Sequence, residues 1–234
     1  MRYTAGMVEQ TNAQLPLCVE NISPDLVTLL TSPILSDSLD AVGLRAQVLA
    51  RGLTALEPGS RVVGRAHTVQ FAPAEFAGPD PYARAMEFID GLATGSVAII
   101  ATGPDDRTAY WGELFSAAAL GRGAVGAVCD GPVRDTLKVR ALGFPVFSAG
   151  MRPIDFRARM QVVAIGQPVR CAGVVVAEGD LVLADADGIV VVPAAAEPDV
   201  LARALSRASA ERSVLSDLLA GARLREVWER WGIL

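Results

Sequence analysis

Histidine is nearly missing from these 234 residues: His67 is the only one. The three cysteines, Cys18, Cys129 and Cys171, stand far apart in apolar surroundings, with no CxxC pair and no grouping with the histidine. These gaps exclude zinc-ligand spacing and a disulfide framework, and they leave a nucleophilic Cys129 without a base; the cysteines read as buried thiols of a reducing compartment. His67, inside the strand-like RVVGRAHTVQF, reads as a packed or edge residue. No uncharged run reaches membrane-spanning length, and no basic stretch followed by an apolar one opens the chain, so a cytoplasmic protein that does not use a membrane is expected. Positive charge is in deficit, with a formal net charge of −5, which argues against nucleic acid or an anionic membrane as the main partner. Phosphate-loop and GxSxG patterns and internal repeats are also missing. Residues 121–126 satisfy GxGxxG literally, but they follow a helical pattern and enter a strand, the reverse of the dinucleotide-binding order. They read as a tight helix-to-strand turn, and no NAD is implied.

Apolar residues are plentiful, at 51%, enough for one sizeable α/β domain over residues 1–234. Ser23-Pro24-Asp25 opens one helix, and Ser32-Pro33 opens another that Gly43 stops. Residues 61–71 read as a strand, 72–81 as a proline- and glycine-rich loop, 82–92 as a helix and 97–101 as a strand. Beyond residue 136, Leu137, Val139 and Leu142 complete a helix stopped by Gly143, and residues 145–147 form a short strand. From residue 162 to 193, short β pieces are separated by the turn signals Gly166-Gln167-Pro168, Glu178-Gly179-Asp180 and Asp187-Gly188, so a compact β-element is expected. Asp185 and Asp187 could be taken for metal ligands, but a hairpin turn explains Asp187 more simply. Residues 194–219 form a long alanine-rich amphipathic helix and 224–231 a shorter one, whose Trp228 and Trp231 read as core or subunit contacts.

Chemistry concentrates in residues 111–135, WGELFSAAALGRGAVGAVCDGPVRD. Leu114, Phe115, Ala118, Ala119 and Leu120 recur at helical spacing, which puts Gly112 and Glu113 at a helix start, where free amides and the dipole can seat a carboxylate. A buried strand follows over 124–129. Asp130-Gly131-Pro132 reads as a loop, after which Arg134 and Asp135 open the next helix beside the strand's C-terminal edge, where open α/β sheets bind ligands. Two carboxylates and a guanidinium on converging loops suit a hard divalent cation holding a small anionic keto acid. The same residues would also arise if Glu113 only complemented a helix dipole and Arg134 and Asp135 formed an exposed pair.

WGEL, VCDGPVRD, LGFPVF, CAGVVVAEGD and ADADGIVVVP, together with SPILSDSLDAVGL and GRAHTV, keep the order of the RraA-like family, and the chain resembles it from about Ser32 to Pro193. The group includes the 4-hydroxy-4-methyl-2-oxoglutarate/4-carboxy-4-hydroxy-2-oxoadipate aldolases. The resemblance implies a swivelling-domain-like α/β sandwich with a β-rich second half, an N-terminal extension over 1–31 and C-terminal helices over 194–234. It further implies a class II pyruvate aldolase with oxaloacetate decarboxylase activity. Asp135 would be the direct ligand of Mg2+ or Mn2+, and Arg134 the enolate-stabilising cation. Gly112, Glu113 and the amides of Leu114 and Phe115 would form the substrate loop. Glu211, from a neighbouring subunit of a homotrimer or homohexamer, would help orient water. The same family includes regulators that inhibit a ribonuclease without catalysis, which lack the aspartate matched by Asp135, and a related lyase acting on another 2-keto acid also fits. Ser96 and Thr102 depart from the family's GDV and its aspartate after the strand, which bears on substrate identity.

Overall fold

The computed structural model describes residues 20, 23–50, 52–74, 78–103 and 105–233, so Cys18 lies outside the described residues. A parallel core of four strands is laid down by βα repeats: β2 (Val62–Pro73), β3 (Ser96–Ala101), β4 (Gly126–Val133) and β5 (Val146–Met151). These pair in sequence order, each parallel to the next. Every residue of β3 is buried, as expected of a strand covered on both faces. Antiparallel strands finish the mixed sheet at its edges. β1 (Thr54–Ala55) pairs with β5, β6 (Met160–Ile165) and β9 (Leu181–Ala184) share the free side of the long β2, and β10 (Ile189–Val192) pairs with β9. Among the described residues, β7 (Val169–Cys171) and β8 (Val174–Val176) stand apart from that sheet, as a two-stranded hairpin.

Two sequence expectations are corrected here. The β pieces after residue 160 are not a compact element of their own, because β6 and β9 dock on the same long strand β2, using its two halves. Asp130-Gly131-Pro132 is not a loop but the last part of β4, buried or nearly so. Pro132 lacks an N–H for a regular ladder; the pairing with β5 shifts register between Cys129 and Pro132, which accommodates it. The expected strand at 145–147 likewise runs on to Met151.

Alternation along the strands divides the core. Ala98, Ile100, Ala127 and Cys129 face α3 (Ala83–Asp90), α4 (Glu113–Gly121) and α5 (Thr136–Ala141), whereas Val97, Ile99 and Val128 face the β7–β8 hairpin. A third cluster joins β9 and β10 to α2 (Ser32–Ala41) and α6 (Glu197–Leu219) through Leu35, Leu39, Leu183, Val192 and Leu201. α1 (Pro24–Leu29) starts where Ser23 caps it, its hydroxyl accepting from the Leu26 amide. α7 (Leu224–Trp231) ends the described chain, and the Trp231 ring nitrogen donates to Asp217 at 3.0 Å. Asp185 accepts from the Ser32 amide and hydroxyl at 2.8 and 2.6 Å and from the Asp187 amide at 3.0 Å, a turn-and-cap role rather than a metal site. Residues 121–126 form the expected helix-to-strand turn, with Gly123 at a φ of 82°.

Candidate active site

The sheet brings the starts of α4 and α5 together at the C-terminal end of β4. Tyr110 donates its amide to Pro132 O at 3.0 Å and Arg134 donates its amide to Trp111 O at 2.9 Å, which zips the segment before α4 to the segment before α5. Gly112 is the closest point: a Cβ there would come within 2.8 Å of Asp135 Oδ2 and 3.2 Å of Arg134 Cγ. Its backbone is extended, so glycine is needed for room and not for conformational freedom. As the N-cap it offers no side chain, and the first amides of α4 have neither an intrahelical partner nor a capping oxygen.

Asp135 occupies the left-handed region, φ 56° and ψ 30°, at the N-cap of α5. Aspartate tolerates this conformation better than most residues, and such backbone strain is concentrated at functional sites. Its side chain makes no capping bond. Its close charged partner is Arg134, with Nε 3.7 Å from Oδ2. Arg134 reaches the other way to Asp155, 3.2 Å from its Nη2, and Tyr82 donates its hydroxyl to the same Asp155 oxygen at 2.7 Å. Burial presses the Asp155 pKa upward, but the Arg157 amide, the Tyr82 hydroxyl and Arg134 outweigh it, and the carboxyl stays below its ordinary value. The Tyr82 phenol is pushed up by burial and by Asp155. Glu113, at the first position of α4, accepts from Lys138 Nζ at 2.8 Å, and that bond raises the lysine's pKa.

These groups surround a cavity of about 350 Å³ whose lining includes Gly112, Glu113, Leu114, Phe115, Arg134 and Asp135, a size at the lower end of small-molecule sites. Six of the seven residues expected from the sequence therefore converge. Glu211 does not: it lies on α6, bonded to Arg207 Nε at 2.8 Å, and it is absent from the cavity lining. Tyr82 and Asp155 were not legible beforehand, because they are 73 residues apart and nothing in their spacing links them to Arg134. Cys129 is fully buried, and desolvation pushes its thiol up, which is the condition of an inert packing residue. His67 is likewise structural, stacked on Phe88 with its Nδ1 2.7 Å from Glu178.

Among the described residues, no three His, Cys, Asp or Glu side chains gather as a metal cluster. A hard cation that keeps several waters needs only one or two protein carboxylates. Asp135 fits that demand, since it is partly exposed in the cavity and its ion pair with Arg134, at 3.7 Å, is loose.

Among known proteins, the chain is 28% identical over 195 residues to protein DlpA of Legionella pneumophila, covering 83% of this chain but only 31% of that protein's length. It is 30% identical to a Halalkalibacterium halodurans protein named "Putative 4-hydroxy-4-methyl-2-oxoglutarate aldolase", covering 80% of this chain and 85% of that one. Among solved structures it resembles Streptomyces coelicolor RraAS2, described as an unusual member of the RNase ES inhibitor RraA protein family. The TM-score is 0.72 and the identity 29%, over 82% of this chain and 96% of that one. The family model RraA-like (Aldolase/RraA) matches residues 32–191, a span that holds β1 to β9, nearly all of β10 and the whole cavity, and the chain belongs to that family.

Proposed function

We propose that the protein is a divalent-metal-dependent pyruvate aldolase, which cleaves a 4-hydroxy-2-oxo acid and also decarboxylates oxaloacetate. The observation that carries this reading is the convergence of uncapped α4 amides, Arg134 and Asp135 on one cavity. The substrate carboxylate sits at the Leu114 and Phe115 amides, where the helix dipole favours an anion. Asp135 would hold Mg2+ or Mn2+, which when bound would supply Lewis acidity toward the keto acid. As the C4 hydroxyl loses its proton and becomes a carbonyl, the C3–C4 bond breaks, its electron pair forms the C2=C3 double bond and the carbonyl π pair moves onto the C2 oxygen, leaving the enolate of pyruvate and a separate carbonyl product. Arg134 stabilises that charge as it develops, in the manner of an oxyanion hole. Glu113, helped by Glu211 of a neighbouring subunit in a homotrimer or homohexamer, relays the proton through water and returns it to C3.

The printed name of the Halalkalibacterium halodurans relative supports the aldolase class. The likeness to RraAS2 supports a rival, a non-catalytic regulator that binds a ribonuclease; Asp135 counts against it, because the regulators lack the matching aspartate. A cytoplasmic location belongs to the same reading. The test is pyruvate release from oxaloacetate and from 4-hydroxy-4-methyl-2-oxoglutarate, with Mg2+ and again with chelator. Metal-dependent release from either supports the aldolase. No release together with no metal binding favours the regulator, and no release with normal metal binding points to a lyase for another 2-keto acid.

A further inference from the structure

Four backbone hydrogen bonds weave three segments together around the cavity. The Tyr110 amide donates to Pro132 O at 3.0 Å and the Arg134 amide to Trp111 O at 2.9 Å, while the Ala109 amide donates to Ile154 O at 2.7 Å and the Arg152 amide to Val133 O at 3.0 Å. Arg134 and Asp155 therefore stand on segments that both pair with residues 109–111, the lead into α4, so the backbone itself sets one beside the other. The Asp155 carboxylate is fixed further. Its Oδ1 accepts from the Arg157 amide at 2.9 Å, and its Oδ2 accepts from the Tyr82 hydroxyl at 2.7 Å and meets Arg134 Nη2 at 3.2 Å. Tyr82 is braced in turn, edge-on to Phe156 with ring centroids 5.5 Å apart.

An ion pair whose side chains are 39% and 26% exposed adds little to stability, so the three donors gathered on Asp155 need another account. The choice open to Arg134 supplies it. Its Nε already lies 3.7 Å from Asp135 Oδ2, and a guanidinium favours gripping a carboxylate with both sides of its fork. With no second anchor it would close on Asp135, turn from the cavity and occupy the oxygens that the proposed metal needs. Anchored by Nη2 on Asp155, it stays spread between the two carboxylates.

We infer that Asp155, braced by Tyr82, is the positioning residue for Arg134: it holds the guanidinium off Asp135 and aims it in advance at the oxygen where enolate charge develops. The inference rests on the enolate-forming reading above and adds to it a residue outside the cavity lining. Because the aim is set before substrate arrives, the gain falls on the charged enolate and not on the bound ketone.

The test compares two ligands on the full-length protein with Mg2+: pyruvate, the ketone, and oxalate, a planar dianion shaped like the enolate of pyruvate. Their dissociation constants are measured by calorimetry, and deuterium exchange at C3 of pyruvate, followed by NMR, reports enolate formation separately. Asp155→Asn keeps an acceptor for Tyr82. It should weaken oxalate about tenfold, the scale of one hydrogen bond to a charged group, while pyruvate affinity changes by less than about threefold. Exchange at saturating pyruvate should slow with KM little moved. In an Arg134→Ala background the same substitution should have no further effect on oxalate, because the two residues act as one. Tyr82→Phe, which keeps the ring against Phe156 and removes only the hydroxyl, should show the same pattern at about threefold, and it carries the test by itself if Asp155→Asn does not fold. Unchanged or tighter oxalate binding in a folded variant overturns the assignment, the second because Asp155 would then only temper the charge of Arg134. Equal losses for oxalate and pyruvate, or equal losses with and without Arg134, overturn it as well, by showing a merely structural role. In each of these cases, exchange by the natural protein leaves the enolate chemistry standing. Absence of exchange in the natural protein overturns the enolate reading and this inference with it.

Discussion

Two aspartates near the end of β4 have opposite fates. Asp130 turns to the hairpin side of the sheet, where its carboxylate accepts from the Thr102 amide at 2.7 Å, the Thr102 hydroxyl at 2.9 Å and the Ala172 amide at 3.0 Å. Asp135 sits on the helix side, partly exposed in a left-handed turn, with a loose ion pair to Arg134. Burial raises the Asp130 pKa against those hydrogen bonds. One carboxylate is consumed in holding the β7–β8 hairpin to the sheet; the other is kept available. A residue type therefore says little about role, which depends on whether the fold satisfies its lone pairs or leaves them facing a cavity.

The comparison breaks most sharply at Asp135. Asp135→Asn keeps a residue that tolerates the left-handed turn, so the thermal midpoint should hold while metal-dependent pyruvate release falls at least about a hundredfold, roughly 3 kcal/mol of barrier. Comparable turnover in the variant would return Asp135 to the rank of an ordinary cap. Asp130→Ala should behave in the opposite way. Leaving the Thr102 and Ala172 donors without their acceptor should cost about 2 kcal/mol or more, read as a lower denaturant midpoint, with the rate per folded molecule little changed. A large loss of turnover with unaltered stability would show that the hairpin side also serves the chemistry.

A smaller effect sharpens the contrast at Asp105, under the cavity's Tyr110. Burial there presses the carboxyl up, yet bonds from Arg107, Tyr110 and Thr108 prevail and lower it from 3.8 to about 2. A carboxyl whose folded pKa is depressed contributes stability that is full above its unfolded value and is lost as pH falls toward the folded one. The contribution of Asp105 should therefore disappear between about pH 4 and pH 2. Denaturant titrations at about pH 5 and pH 2.5 should show that Asp105→Asn loses less stability on acidification than the natural protein. An equal loss would mean that those three bonds do not favour the ionised form.

Much of the site is legible in the sequence. The apolar spacing over 114–120 placed Gly112 and Glu113 at a helix start, and the small, β-branched run after Gly123 placed Arg134 and Asp135 just past a strand end. What misled was Asp130-Gly131-Pro132. Its composition signals a turn, but the register shift against β5 lets it continue the strand. The β pieces after residue 160 were recognised as strands but wrongly assembled, since no local pattern says that the twelve-residue β2 has room for β6 on one half and β9 on the other.

Periods of two and 3.6 residues and turn preferences are local properties, so the alternation of helices and strands, the family and the two helix starts that carry the candidate chemistry are legible in the chain alone. Long-range packing is what sets Gly112 against Asp135, ties Arg134 to Asp155 and Asp155 to Tyr82, and engages the ring polar atoms of Tyr110 and Trp111 away from the cavity. Those are contacts between segments distant in the chain, set by how the sheet orders its strands and how its helices pack, and no spacing within a segment encodes them.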